Sequence, residues 1–289
     1  MPAFPFIDAH LHIWDPTRYR MSWLDKNEQL NHPFGLPEFA EATRELALEA
    51  MVFIQADVEE PYGLLETRWI AELARQEPRI QAIVAYAPLE YGEQARAYLE
   101  ALKAIDPRVK GVRRLLQGEQ DPEFCLRPDF IRALQILPEY DFSFDICVTH
   151  QQLPAVVKMV QRCPQTAFIL DHCGKPNILR QELEPWHEHI KELAGYPNVM
   201  CKISGLVTEA DLELWSPDDL APYIHYALQE FGEDRVLFGG DWPVLTQTCS
   251  YGCWIETLDE LTSNLSLQAK RKLWVENARA FYRLPEESL

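Results

Sequence analysis

The sequence predicts one (β/α)8 TIM barrel covering residues 1–289, and three observations predict it. Eight apolar runs of strand length alternate with segments of helical periodicity. No low-complexity linker or break in composition divides them, and α/β barrels of this length fold as one unit around one large core. Polar, chemistry-bearing residues gather at the C-terminal ends of the runs, where a barrel builds its mouth. A doubly wound sheet usually has fewer parallel strands and a glycine-rich first turn, which does not follow the first run.

The first strand is Phe6-Ile7-Asp8-Ala9-His10-Leu11-His12. Residues two apart in a strand share a face, so His10 and His12 project together with Asp8 behind them, while Ile7, Ala9 and Leu11 face the other way. Two imidazoles in one small volume suit a divalent metal or a polarised carbonyl oxygen, because each ring nitrogen can coordinate or, when protonated, donate. Trp14-Asp15-Pro16 then opens a long loop holding Tyr19, Trp23, His32 and Pro33, with no sustained period. An amphipathic stretch over 37–49 predicts a helix, and 50–56 a second strand running into Asp57, Glu59 and Glu60. Helix 66–76, strand 80–86 stopped by Pro88, helix 93–105 and strand 109–116 continue the alternation. Strand 142–148 leads to helix 154–162, strand 167–172 to helix 185–193, and strand 199–204 to helix 218–231. Strand 235–241 is last, and helices 254–261 and 268–282 close the chain.

The strand ends supply His10, His12, Arg113, His150, His172, Lys202 and Asp241, which a barrel would bring to one mouth. Asp241 ends an apolar strand after two glycines that leave space, and Trp242-Pro243 then turns the chain away. A carboxylate facing two or three imidazoles is a general base whose strength they can tune. His172 sits at the mouth in Asp171-His172-Cys173-Gly174. Arg113 could hold a substrate oxygen or pair with a rim acid such as Glu119. An inward lysine in a barrel needs a partner or a substrate, and Asp8 is the expected partner of Lys202. His150 shares parity with Phe144, Ile146 and Val148, whereas Asp145 and Cys147 lie on the other face.

A formal charge of −18, from 45 acidic and 27 basic residues, argues against nucleic acid or an anionic membrane as partner, since both demand a positive footprint. No basic-then-apolar leader opens the chain and no apolar run is long enough to span a bilayer. Seven cysteines without a Cys-X-X-Cys pair fit free thiols in a reducing compartment, so the expected location is the cytoplasm. The sequence sets no oligomeric state.

Four stretches carry a resemblance: Ile7 to Pro16, Asp171 to Pro176, Lys202-Ile203-Ser204-Gly205-Leu206 and Phe238 to Val244. Together they resemble the amidohydrolase superfamily, in the branch of sugar-lactone hydrolases that act on L-fuconolactone or L-rhamnonolactone and are related to 2-pyrone-4,6-dicarboxylate lactonase. The resemblance implies the barrel fold, a lactonase activity in carbohydrate catabolism, and site residues at His10, His12, His172 and Asp241, with Arg113 matching the fourth-strand motif. Lys110 lies at the start of strand four rather than its end, so the carboxylated lysine of two-metal amidohydrolases has no counterpart. One divalent ion such as zinc, held by His10, His12 and Asp241, is compatible with the resemblance but not required by it.

The expected reaction is opening of a sugar lactone to its aldonic acid: water attacks the ring carbonyl, Asp241 takes its proton, and the histidines stabilise the oxyanion. Substrate contacts are expected from Arg113, Lys202, His150, Trp14 and Trp242, since flat aromatic faces pack on the C–H surface of a sugar ring. With few cations at the mouth, an uncharged lactone is favoured over a dicarboxylate. Two alternatives are a zinc-dependent non-oxidative decarboxylase, using His150 as an added ligand, and a barrel that only binds.

Overall fold

A computed structural model describes residues 2–286. Eight strands form one sheet in chain order: β1 (Phe6–Leu11), β2 (Leu48–Ile54), β3 (Ile80–Tyr86), β4 (Val109–Arg113), β5 (Ser143–Ile146), β6 (Phe168–Leu170), β7 (Val199–Ile203) and β8 (Val236–Phe238). All neighbours are parallel. Closure between the first and last strands comes just past β8, where Leu11 pairs with Trp242 and the Asp241 N–H donates to the His10 carbonyl at 2.6 Å. The domain is therefore the (β/α)8 barrel that the alternation predicts.

The strands are apolar along most of their length because a parallel barrel buries both faces, one under helices and one inside. The covering helices are α1 (Leu36–Ala42), α2 (Gly63–Gln76), α3 (Arg96–Ile105), α4 (Pro128–Ile136), α5 (Leu153–Arg162), α6 (Trp186–Ala194), α7 (Pro217–Phe231) and α8 (Tyr251–Leu261). The first helix ends at Ala42, short of its expected 37–49, and after a turn β2 starts two residues early, pairing Leu48 with Phe6. The expected helix 268–282 is broken into α9 (Leu267–Arg271) and α10 (Asn277–Phe281) by a π-helical turn. That turn seats Trp274 against Phe238, with ring centroids 4.5 Å apart.

Strands six and eight are three residues each, shorter than expected, and the turns just past them build the site. After Leu170 the chain turns through His172 and Cys173 with φ of 53° and 51°, and after Phe238 through Asp241 with φ of 56°. These left-handed backbones end strand pairing and aim side chains across the mouth. At the other end of the barrel, Tyr282 reaches inside to Asp145, while Arg283 donates to the carbonyls of Lys110 and Asp141 at the starts of β4 and β5.

Candidate active site

In β1 the pairing shifts between Asp8 and Leu11, which face Met51 and Phe53: three steps on β1 match two on β2. This bulge breaks the simple two-residue parity. His10 and His12 still meet, with ring centroids 5.0 Å apart. Asp8, however, turns from them to the Tyr251 hydroxyl of α8 at 2.6 Å and accepts from the N–H groups of His10 and Gly240, both at 2.8 Å. It is a strut between β1 and the end of β8. Gly240 is required there, since a Cβ on it would lie 2.5 Å from Asp8 Oδ2 and 2.3 Å from the Tyr251 ring.

Beyond Gly240, Asp241 Oδ1 lies 3.4 Å from His12 Nε2 and 3.7 Å from His10 Nε2. The His172 ring stands 4.5 Å from that of His10, and its Nδ1 is 2.9 Å from Ser204 Oγ. Gly205 lets the backbone pass beneath this group: a Cβ would sit 2.5 Å from His172 Nδ1 and 2.7 Å from Asp241 Oδ2. Three imidazoles and one carboxylate from β1, β6 and β8 thus converge, as the strand ends predict.

Below them lies a buried ionic layer. Lys202 Nζ contacts Asp145 Oδ2 at 2.5 Å and Asp171 Oδ1 at 3.0 Å, not Asp8, which the β1 bulge directs elsewhere. Asp171 Oδ1 is 3.3 Å from His10 Nδ1, and its Oδ2 is 3.3 Å from Arg113 Nη1. Arg113 also approaches His10 Nε2 at 3.3 Å and donates to the Gln55 carbonyl at 2.6 Å. Glu119, the rim acid expected for it, is taken instead by Arg114 at 2.6 Å. Asp145 and Asp171 escaped sequence reasoning as site residues. A signal existed: Asp145 has the parity opposite to Phe144 and Ile146, whose apolar side chains face helices, so it had to face inward.

A cavity of about 150 Å³ opens above the histidines, lined by His12, Trp14, Trp23, Asp57, Arg113, Gln117, Cys147, His172, Lys175 and Asp241 among others. Three expected contributors do not line it. Lys202 is fully buried under His10. Trp242, in the strand-closing bridge, packs its ring against Phe34 and Phe39, with centroids 5.5 and 5.0 Å away, as part of the core. His150 begins a short turn past β5; its Nδ1 is 3.1 Å from the Lys175 carbonyl oxygen, in a separate surface recess. Its parity with helix-facing Phe144 and Ile146 had already set it apart. Trp14 does line the cavity, its indole N–H shared between the carbonyls of Leu30 and His32.

Burial governs the charges here. It pulls the His172 imidazolium down to about 4, and depresses His10 well below the usual histidine range, so both rings are neutral at physiological pH. For Asp241 burial works the other way, but the charge of His172, whose ring is protonated at the low pH where this carboxyl would titrate, outweighs it and holds the carboxyl well below the carboxylate range. Asp171 is likewise held down against its burial by Lys202 and His10, whereas burial raises Asp145 to about 6.

The donor set fits a metal. His12 Nδ1 lies 2.8 Å from the Ile54 carbonyl, an acceptor only, so in the neutral ring Nε2 keeps its lone pair and points it at Asp241. Nitrogen and oxygen donors bound at about 2.0–2.1 Å on a tetrahedral ion stand roughly 3.4 Å apart, and Asp241 Oδ1 lies 3.4 and 3.7 Å from Nε2 of His12 and of His10, all three atoms being within 4.8 Å of one another. Lys110 opens β4, away from this cluster.

The amidohydrolase family model matches residues 7–284. An L-fucono-1,5-lactonase of Burkholderia ambifaria is 30% identical over 289 residues, covering 98% of this chain and 97% of the relative. One from Burkholderia multivorans is 32% identical over 295 residues, covering 97% and 96%. A crystal structure of a Burkholderia multivorans amidohydrolase with bound zinc superposes with a TM-score of 0.88 at 32% identity, covering 97% of this chain and all of that one.

Proposed function

The chain belongs to the amidohydrolase family, and from that membership we propose that it hydrolyses the ester of an uncharged sugar lactone, of the L-fucono- or L-rhamnonolactone type, to the aldonic acid. The observation that carries this is one ionised carboxylate, Asp241, set among three imidazoles, two of which line a small cavity with it while His10 lies buried beneath.

Water attacks the lactone carbonyl carbon and gives its proton to Asp241. The oxyanion that forms is met by the Arg113 guanidinium and by Nε2–H of His172, a tautomer favoured when the Ser204 hydroxyl donates to Nδ1. The ring C–O bond then breaks, and the leaving oxygen takes the proton back from Asp241. Once protonated, Asp241 is a carboxylic acid beside the leaving oxygen, and a general acid in that place suits the return step. His10 Nε2, His12 Nε2 and Asp241 Oδ1 would hold a divalent ion, zinc by the nature of the donors, and its chemistry would be to polarise the carbonyl or acidify water. Arg113, 3.3 Å from His10 Nε2, already supplies positive charge at the same place, so the ion is an aid rather than a requirement.

The activity of the Burkholderia relatives supports the lactone class. A neutral substrate is favoured by the balance of the lining, two cations (Arg113 and Lys175) against two acids (Asp57 and Asp241). The decarboxylase alternative needs His150 beside the cluster, and that ring is turned to the Lys175 carbonyl instead. Seven free cysteines suit the reducing cytoplasm. No helix among the described residues is long and apolar enough to cross a membrane.

Steady-state hydrolysis of L-fucono-1,5-lactone, L-rhamnonolactone and 2-pyrone-4,6-dicarboxylate, with and without chelator, tests this. A preference for either sugar lactone that survives chelation in part is expected. Activity on the dicarboxylate alone, or none at all, would overturn it.

A further inference from the structure

Asp57 stands on the cavity rim just past β2, and its carboxylate makes no hydrogen bond or ion pair among the described residues. Its backbone is nonetheless held from three sides. The Asp57 N–H donates to Gln55 Oε1 at 2.5 Å, the preceding Ala56 N–H to buried Glu66 at 3.0 Å, and the Trp23 indole to the Ala56 carbonyl at 3.0 Å. With φ of 56° the residue adopts a left-handed conformation that few side chains favour. The side chain is exposed at the rim, and an exposed acid with no partner in the fold does not need such backing. It shares the cavity lining with His12 and Arg113, which come from β1 and β4.

The cations nearby are already engaged. Lys175 pairs with Glu209 at 3.0 Å and Arg114 with Glu90 and Glu119, while Arg113, held by Asp171 at 3.3 Å, is the cation that faces the lactone oxyanion. A further carboxylate on the substrate would find no cation left over and would meet Asp57, whereas a hydroxyl could donate to it.

We propose that Asp57 determines specificity: it accepts a hydrogen bond from a hydroxyl of the neutral lactone and repels lactones that carry a carboxylate. This rests on the lactonase reading above. The test is steady-state kinetics of the wild type, Asp57→Asn and Asp57→Gly with L-fucono-1,5-lactone. The same three proteins are run with D-glucaro-1,4-lactone, an anionic sugar lactone, read as substrate or competitive inhibitor. Asparagine keeps an acceptor and glycine suits the positive φ, so at least one variant retains the fold, which its Tm verifies.

Loss of the charge should raise KM for the neutral lactone about threefold to tenfold with kcat nearly unchanged, and tighten the anionic lactone about tenfold or more. A merely structural role would weaken both ligands alike. If the wild type hydrolyses the neutral lactone but neither variant shifts the neutral-to-anionic ratio, the role of Asp57 is overturned and the lactonase reading stands. A wild type inactive on neutral lactones overturns both.

Discussion

Asp241 Oδ1 lies 3.4 Å from Nε2 of His12, a ring whose other nitrogen is committed to the Ile54 carbonyl at 2.8 Å. In the neutral ring two electron-rich atoms face each other, an arrangement that favours a positive group between them. In the proposed mechanism the proton taken from water would fill that place, and a divalent cation would suit it too.

Asp241→Asn keeps the size and polarity of the side chain but cannot accept the proton. We expect kcat to fall about 10²- to 10⁴-fold with little change in substrate affinity, measured by steady-state kinetics and by binding of the lactone to the inactive variant. A variant with most of the wild-type kcat would remove Asp241 from the proton-transfer step.

His10→Ala and His12→Ala should each cripple turnover, with or without added zinc, because both rings crowd the electrophile side of Asp241. His150→Ala should leave kcat/KM within about twofold, since that ring contacts the Lys175 carbonyl in a separate recess. Equal losses in all three variants would contradict this division.

Lys202→Met should destabilise the fold by about 3–5 kcal/mol, because it strands two fully buried carboxylates, Asp145 and Asp171, that it now neutralises. Adding Asp145→Asn should restore part of the loss, as read from urea midpoints. A double variant no more stable than Lys202→Met would show that the pair does not act as a unit.

Glu66 is buried, and one of its oxygens finds no partner. Desolvation raises its carboxyl to about 8. The folded state therefore keeps a proton that the unfolded state releases above its ordinary value near 4.5. Its contribution to stability is fully present below that value and is lost as pH rises toward 8, each pKa unit of the gap being worth about 1.4 kcal/mol. Glu66→Gln, which cannot ionise, should unfold at a higher temperature than wild type at pH ~8, with the difference shrinking toward pH ~5. A difference independent of pH would exclude this ionisation as the cause.

The sequence by itself determined the barrel and most of its mouth. Alternating apolar runs and helical segments specify eight βα units, and His10, His12, Arg113, His172 and Asp241 meet because each lies at or just past the C-terminal end of its strand. Those features are local, carried by period and by strand termination. Only the tertiary structure decided which residues touch beneath and beside them. The bulge in β1 sends Asp8 to Tyr251 and leaves Lys202 to Asp145 and Asp171, from strands 57 and 31 residues away in the chain (202 − 145 and 202 − 171). The closing bridge at Leu11 and Trp242 commits the Trp242 ring to the core, and the short turn after β5 carries His150 out of the cavity. Register shifts and backbone turns at strand ends reverse the alternation on which facing is read, and their effect is settled by pairing between strands distant in sequence.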